Sequence, residues 1–143
     1  MITKIKIVCV GKIKEKYILE GINEFLKRLD PFCKIKLIEL KDEGLNEEAK
    51  KLKEQFSEKT LILDEKGAEF SSAEFAHLIK TLDYDLTLVI GGHNGISEEL
   101  KKENKEKLFS LSKMTFTHEM ARLFLIEQIY RAYMINGNRK YHK

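Results

Sequence analysis

The sequence predicts an α/β domain on a mostly parallel sheet, and three observations carry that prediction. Five short apolar runs alternate along the chain with longer segments of helical periodicity. A glycine-rich turn, Gly91-Gly92-His93-Asn94-Gly95, directly follows one of those runs, where a strand would hand over to a helix. One proline in 143 residues and no low-complexity stretch leave no linker, so residues 1–143 read as a single domain.

Each element has its own signal. Residues 2–10 alternate and then run apolar through Ile7-Val8-Cys9-Val10, which suits a strand buried on both faces at its end. Tyr17, Ile18, Ile22, Phe25, Leu26 and Leu29 fall at helical spacing, and Asp30-Pro31 stops that helix. Residues 34–40 read as a second strand. Residues 46–56 form a polar helix with a thin apolar line of Ala49, Leu52 and Phe56. Thr60-Leu61-Ile62-Leu63 is a short buried strand, and Asp64-Glu65-Lys66-Gly67 a turn. Ser71 or Ser72 caps a helix carrying Phe75, Leu78, Ile79 and Leu82. Residues 86–90 are the next strand, residues 98–107 a charged helix behind Ser97, and residues 108–111 a short exit strand. The last helix runs from near His118 to about Ile135.

Composition narrows the function classes. Hydrophobic residues make up 43% of the chain, enough for a real core. Charged residues reach 34%, but the net charge is only +3, which excludes histone-like binding while leaving room for a local basic patch. The longest apolar run is four residues, far short of the roughly 20 a membrane span needs. The N-terminus carries no signal-peptide pattern. Cys9 and Cys33 have no close Cys or His companion, so no metal is expected, and a reducing, cytoplasmic setting is.

Two loops and the last helix invite a functional reading. Gly91 and Gly92 let backbone amides approach a ligand, although the turn matches neither common nucleotide fingerprint. On its own it could equally be a tight βα turn. Residues 110–117 alternate hydroxyls with large apolar side chains and lack Gly and Pro, the composition of a loop packed inside protein. Thr115 or Thr117 is the expected cap of the last helix, with Glu119 near its positive end. That helix is apolar on every side at 100° per residue, so it is either central to the domain or covered by a second subunit, and a homodimer interface is favoured. Its charges are paired at four-residue spacing, His118 with Arg122 and Glu127 with Arg131. From Arg131 to the end there are four Lys or Arg and no acid, and residues 1–16 add five Lys against one Glu. Such basic segments are candidate nucleic-acid contacts; a solvated end is the plain alternative.

Seven motifs, taken in order and spacing, resemble one family. They are Leu63-Asp64-x-x-Gly67, Ser71-Ser72-x-x-Phe75-Ala76, Ile90-Gly91-Gly92-x-x-Gly95, Ser112-Lys113-Met114-Thr115-Phe116, His118-x-x-x-Arg122, Glu127-Gln128-x-Tyr130-Arg131-Ala132 and Tyr141-His142-Lys143. The chain resembles, along its whole length, the ribosomal RNA large-subunit pseudouridine methyltransferase H family of the SPOUT class. The resemblance implies a C-terminal trefoil knot, a homodimer, and S-adenosylmethionine as methyl donor. It implies methylation of N3 of a pseudouridine in 23S ribosomal RNA on assembled ribosomes. By position, the cofactor site would comprise Leu63, Gly91, Leu111, Ser112, Lys113, Met114, Thr115 and Phe116. Arg131, Tyr141 and His142 are the expected catalytic residues. His142 is the proton acceptor of choice because imidazole titrates near neutrality. Arg122, His118, Arg139, Lys140 and Lys143 are the expected RNA contacts. Thr117 departs from the proline that often precedes the histidine in the family, and a threonine cap offers another way to start the helix. The rival reading is a non-enzymatic RNA- or ribosome-binding module with the same fold.

Overall fold

The computed structural model describes residues 2–143. Five strands form one sheet in the order β2-β1-β4-β3-β5, with every pairing parallel. They are β1 (Lys4–Val10), β2 (Lys34–Leu40), β3 (Lys59–Glu69), β4 (Leu86–Ile90) and β5 (Leu108–Ser110). The helices are α1 (Lys16–Leu29), α2 (Leu45–Glu54), α3 (Ser72–Thr81), α4 (Glu98–Glu103) and α5 (His118–Asn136). The helix expected over 98–107 ends at Glu103, and a single 3₁₀ turn over Lys105–Lys107 leads into β5. Ser97 caps α4 by accepting from Leu100 N. Ser71 is the cap of α3: its Oγ accepts from Glu74 N, and the Glu74 carboxylate accepts from Ser71 N in return.

Residues 64–67, expected as a turn, lie inside β3. Leu63 and Ala68 both face Phe109 of β5, so the four residues between them form a bulge. Gly67 permits it: a Cβ there would sit 2.4 Å from Phe109 N. Polar residues in a strand sequence look like a turn, and only the partner strand reveals that pairing resumes after them.

Alternation sorts the strand residues onto two layers. Ile5, Ile7, Cys9, Leu86, Leu88 and Ile90 pack with α1, α3 and α5. Val8, Val10, Ile62 and Val89 pack with Leu52 of α2 and Leu100 of α4. Burial pushes the Cys9 thiol up to about 12. All five β4 residues are buried, as a central strand requires.

α5 occupies the middle of the first helical layer, between α1 and α3. Leu125, Ile126, Ile129 and Ala132 are fully buried in the single chain. The apolar girdle of this helix is therefore used largely within the domain, the alternative that the sequence reading ranked second. What it leaves at the surface is Phe124, beside exposed Phe116. Among the described residues, no helix is long and apolar enough to cross a membrane.

Candidate functional site

A cleft of about 780 Å³ opens at the carboxyl ends of the strands. This is where open α/β sheets take ligands, because strand ends and helix starts leave backbone groups free there. Its walls come from the Gly91–Ile96 turn, the 110–117 loop, Leu63-Asp64-Glu65 of β3, and the first turns of α1 and α5.

The glycine turn is held by its own backbone. Gly95 N donates to Gly92 O at 2.9 Å, and Gly95 has φ of +76°, in the left-handed region glycine tolerates. A Cβ on Gly91 would meet Gly95 O at 2.6 Å, so the turn itself demands glycine at that position.

The 110–117 loop is built by its hydroxyls. Ser110 Oγ accepts from Ser112 N and donates to Ser112 O, and Ser112 Oγ accepts from Met114 N. Thr115 Oγ1 donates to the Glu65 carboxylate, which fastens the loop to the β3 bulge. Thr117 caps α5 by accepting from Met120 N at 3.2 Å. Ser110, Ser112 and Thr117 thus serve backbone groups as expected, but the loop is not packed inside the chain. Residues 113–117 are exposed, and Met114 is 76% exposed.

A polar clamp joins the start of α5 to the β1–α1 loop. Glu119 accepts from Lys14 N and Glu15 N at 3.2 and 3.1 Å. Burial alone would raise the pKa of Glu119, but these donors outweigh it and lower it. Arg122 is 1% exposed; it donates to Glu39 at 2.5 Å and to Gly11 O at 3.0 Å, and its Nε has no partner. Its guanidinium is committed to partners inside the chain. His118 lines the cleft with its ring tilted 53° to that of His93, whose Nδ1 lies 2.9 Å from Asp42. Burial lowers the pKa of His118.

The cleft is acid-rich. Glu15, Asp64, Glu65, Glu98 and Glu119 face one lysine, Lys101, and two histidines. Lys101 sits between Asp64 at 3.2 Å and Glu98 at 3.0 Å. Among the described residues, no group of three His, Cys, Asp or Glu could hold a metal ion.

Of the expected cofactor residues, Leu63, Gly91, Leu111, Ser112, Met114, Thr115 and Phe116 line the cleft. Lys113 does not; it is 86% exposed and lies 3.9 Å from Glu69. His93, Asn94, Asp64 and Glu65 also line the cleft, beyond the residues expected there. The pairing of His93 with Asp42 joins residues far apart in the chain, so no spacing rule could reveal it.

The expected catalytic residues gather elsewhere. Arg131 donates to Glu127 at 2.5 and 3.0 Å and lies 3.1 Å from His142 Nδ1. Tyr141 Oη donates to Glu127 at 3.1 Å, under the Arg131 guanidinium. Burial, then Glu127, raises the pKa of Tyr141. Arg139 lies over the Phe32 ring, so the tail is folded back on the domain up to Tyr141. Lys140 and Lys143 are exposed. Arg131 is thirteen residues beyond His118 on one unbroken helix, about 20 Å away at 1.5 Å per residue. None of Arg131, Tyr141 and His142 lines the cleft of its own chain.

Comparison with known proteins gives a consistent family. A family model described as Predicted SPOUT methyltransferase matches residues 3–142. The protein named ribosomal RNA large subunit methyltransferase H from Lactobacillus delbrueckii subsp. bulgaricus is 42% identical, over 97% of this chain and 99% of that one. Its namesake from Carboxydothermus hydrogenoformans is also 42% identical, over 98% and 99%. A solved structure of a probable methylase family protein from Haemophilus influenzae Rd KW20 shares the fold, with a TM-score of 0.62. It is 11% identical and aligns over 100% of this chain and 72% of that one.

Proposed function

The chain belongs to the SPOUT methyltransferase family, and we propose that it transfers the methyl group of S-adenosylmethionine to ribosomal RNA of the large subunit. The acceptor in this reading is N3 of a pseudouridine, and the substrate is the assembled ribosome. The observation that carries it is the acid-rich cleft at the strand ends, walled by the glycine turn and the 110–117 loop. Its relatives are named for methylation of large-subunit ribosomal RNA.

The donor set fits the cofactor. S-adenosylmethionine supplies a methyl group already activated on a cationic sulfonium. Five carboxylates against one lysine favour a net-positive ligand. The Leu111–Phe116 loop and Gly91 border the cleft, where their remaining backbone groups would serve an adenine edge, and Leu63 and Leu111 offer it an apolar wall.

The acceptor nitrogen is a poor nucleophile while protonated, so the protein must align it and help remove one proton. His142 accepts that proton in this reading, and Arg131 stabilises the developing anion. Glu127 holds both Arg131 and Tyr141 in place. Because these groups stand far from their own cleft, a homodimer in which each tail completes the partner's cleft accounts for both halves of the site. Phe116, Phe124 and Met114 supply an exposed apolar surface for such a contact.

Two measurements test the reading. Calorimetry with S-adenosylhomocysteine should show saturable binding. Tritiated methyl transfer to ribosomes from a strain lacking this gene should map to one pseudouridine. Absence of both signals would overturn the proposal, and methyl transfer to a different base would overturn the acceptor assignment.

A further inference from the structure

The face of the sheet under α2 and α4 is divided. Its carboxyl half, with Val8, Val10, Ile38 and Leu40, is covered by apolar side chains of those helices. Its amino half is left open on β1 and β2. By alternation, Lys4 and Lys6 of β1 point to this face, and the parallel register places Lys34 and Lys36 of β2 directly beside them. Lys4 and Lys34 are neighbours, as are Lys6 and Lys36.

Four lysines are thus gathered on adjacent strands about 4.8 Å apart. Lys4, Lys34 and Lys36 are exposed and Lys6 half-buried. Among the described residues, none of the four makes an ion pair, whereas seven other lysines do. Lysine on an edge strand guards against unwanted pairing, which would account for β2. It does not account for β1, which lies between β2 and β4. Like charges side by side on neighbouring strands repel, so the arrangement opposes folding and calls for an anionic partner.

We propose that Lys4, Lys6, Lys34 and Lys36 form a second RNA-docking surface, which binds phosphates of the ribosomal RNA backbone. It rests on the reading that the substrate is ribosomal RNA. The surface lies on the sheet face opposite α1, α3 and α5, and is separate from the cleft and from the basic tail. An array of flexible ammonium groups matches a run of phosphates without reading sequence, so it contributes affinity and orientation, not choice of base.

The test compares the unaltered chain with a quadruple variant, Lys4→Gln, Lys6→Gln, Lys34→Gln and Lys36→Gln, and with the matching quadruple Arg variant. Binding to purified ribosomes and to protein-free large-subunit RNA is measured across a salt series. The Gln variant should bind both about tenfold or more weakly at low salt, with a log–log salt slope shallower by about 3, given about 0.7 per phosphate contact. The Arg variant should keep the affinity and slope. Unchanged affinity and slope in the Gln variant would overturn the surface. A loss seen on ribosomes but not on protein-free RNA would overturn the phosphate assignment in favour of an acidic ribosomal protein. Methyl transfer by the unaltered chain reports separately on the parent reading, so failure of one is distinguishable from failure of the other.

Discussion

Single residues show how burial changes chemistry that the sequence lists only as residue types. His118 and Arg122 share a helix face and read as a cationic pair, yet Arg122 is sealed between Glu39 and Gly11. Replacing Glu39 with Gln would leave a buried guanidinium short of a charge partner. Because the Glu39 carboxylate is itself about one third exposed, the expected cost is about 1–3 kcal/mol of stability in urea titration, the range for weakening a hydrogen bond to a buried charged group. His118 gives a pH dependence. Its folded pKa lies below the unfolded value of about 6.5, so the unfolded chain binds more protons in between. The His118 contribution is intact above about pH 6.5 and is lost as pH falls below it. His118→Gln should flatten that part of the stability profile; an unchanged slope would show that other groups set it. Gly91 is constrained by its own turn. Its substitution strikes Gly95 before it reaches any ligand, so a loss of binding in Gly91→Ala reports on the turn as well as on the cleft.

At the scale of elements, periodicity and capping made the strands and helices legible, and their errors share one origin. β3 runs on through Asp64-Glu65-Lys66-Gly67 because β5 is there to pair with it. α5 is apolar all round because it fills the space between α1 and α3. Both facts belong to the neighbour, and a local pattern does not contain the neighbour. The burial of α5 decides which substitutions can test for a dimer. Leu125→Ala should cost about 2–4 kcal/mol by loss of core packing, read from denaturant unfolding. Phe124→Glu changes a surface position and should leave the far-ultraviolet dichroism intact while shifting sedimentation toward monomer. A Phe124→Glu chain that sediments like the unaltered one would remove Phe124 from the proposed interface.

Across the whole molecule, the cleft could be placed in advance from the glycine turn and the strand ends, whereas the folding back of the tail onto Glu127 and Phe32 could not. Arg131 lies about 20 Å beyond His118 along α5, and Tyr141 and His142 gather at that end, on Glu127 and Arg131. The threaded chain expected from the family resemblance has no signature in composition either, since threading follows from the order of crossings and not from local preference. A mixing experiment tests the shared site directly. A chain lacking residues 139–143 and a Gly91→Ala chain should each be inactive in methyl transfer. Refolded together, they should regain activity, because one mixed dimer pairs an intact cleft with an intact tail. No recovery at any ratio, with mixed dimers present, would place the whole site in one subunit.

The place of β4 in the sheet bears on how the protein comes into being. It lies between β1 and β3, both of which precede it in the chain. Until residues 86–90 are synthesised, a nascent chain holds the β1–β2 pair and β3 as separate pieces, each with an open edge of unpaired backbone next to Ile5, Ile7 or Leu61. Assembly then needs pairings that span most of the chain, which slows folding and lengthens the time those edges are exposed. Lesions at Leu86 or Leu88 of β4, which are buried away from the cleft, should therefore register first as aggregation and low yield, with the surviving molecules close to normal in activity.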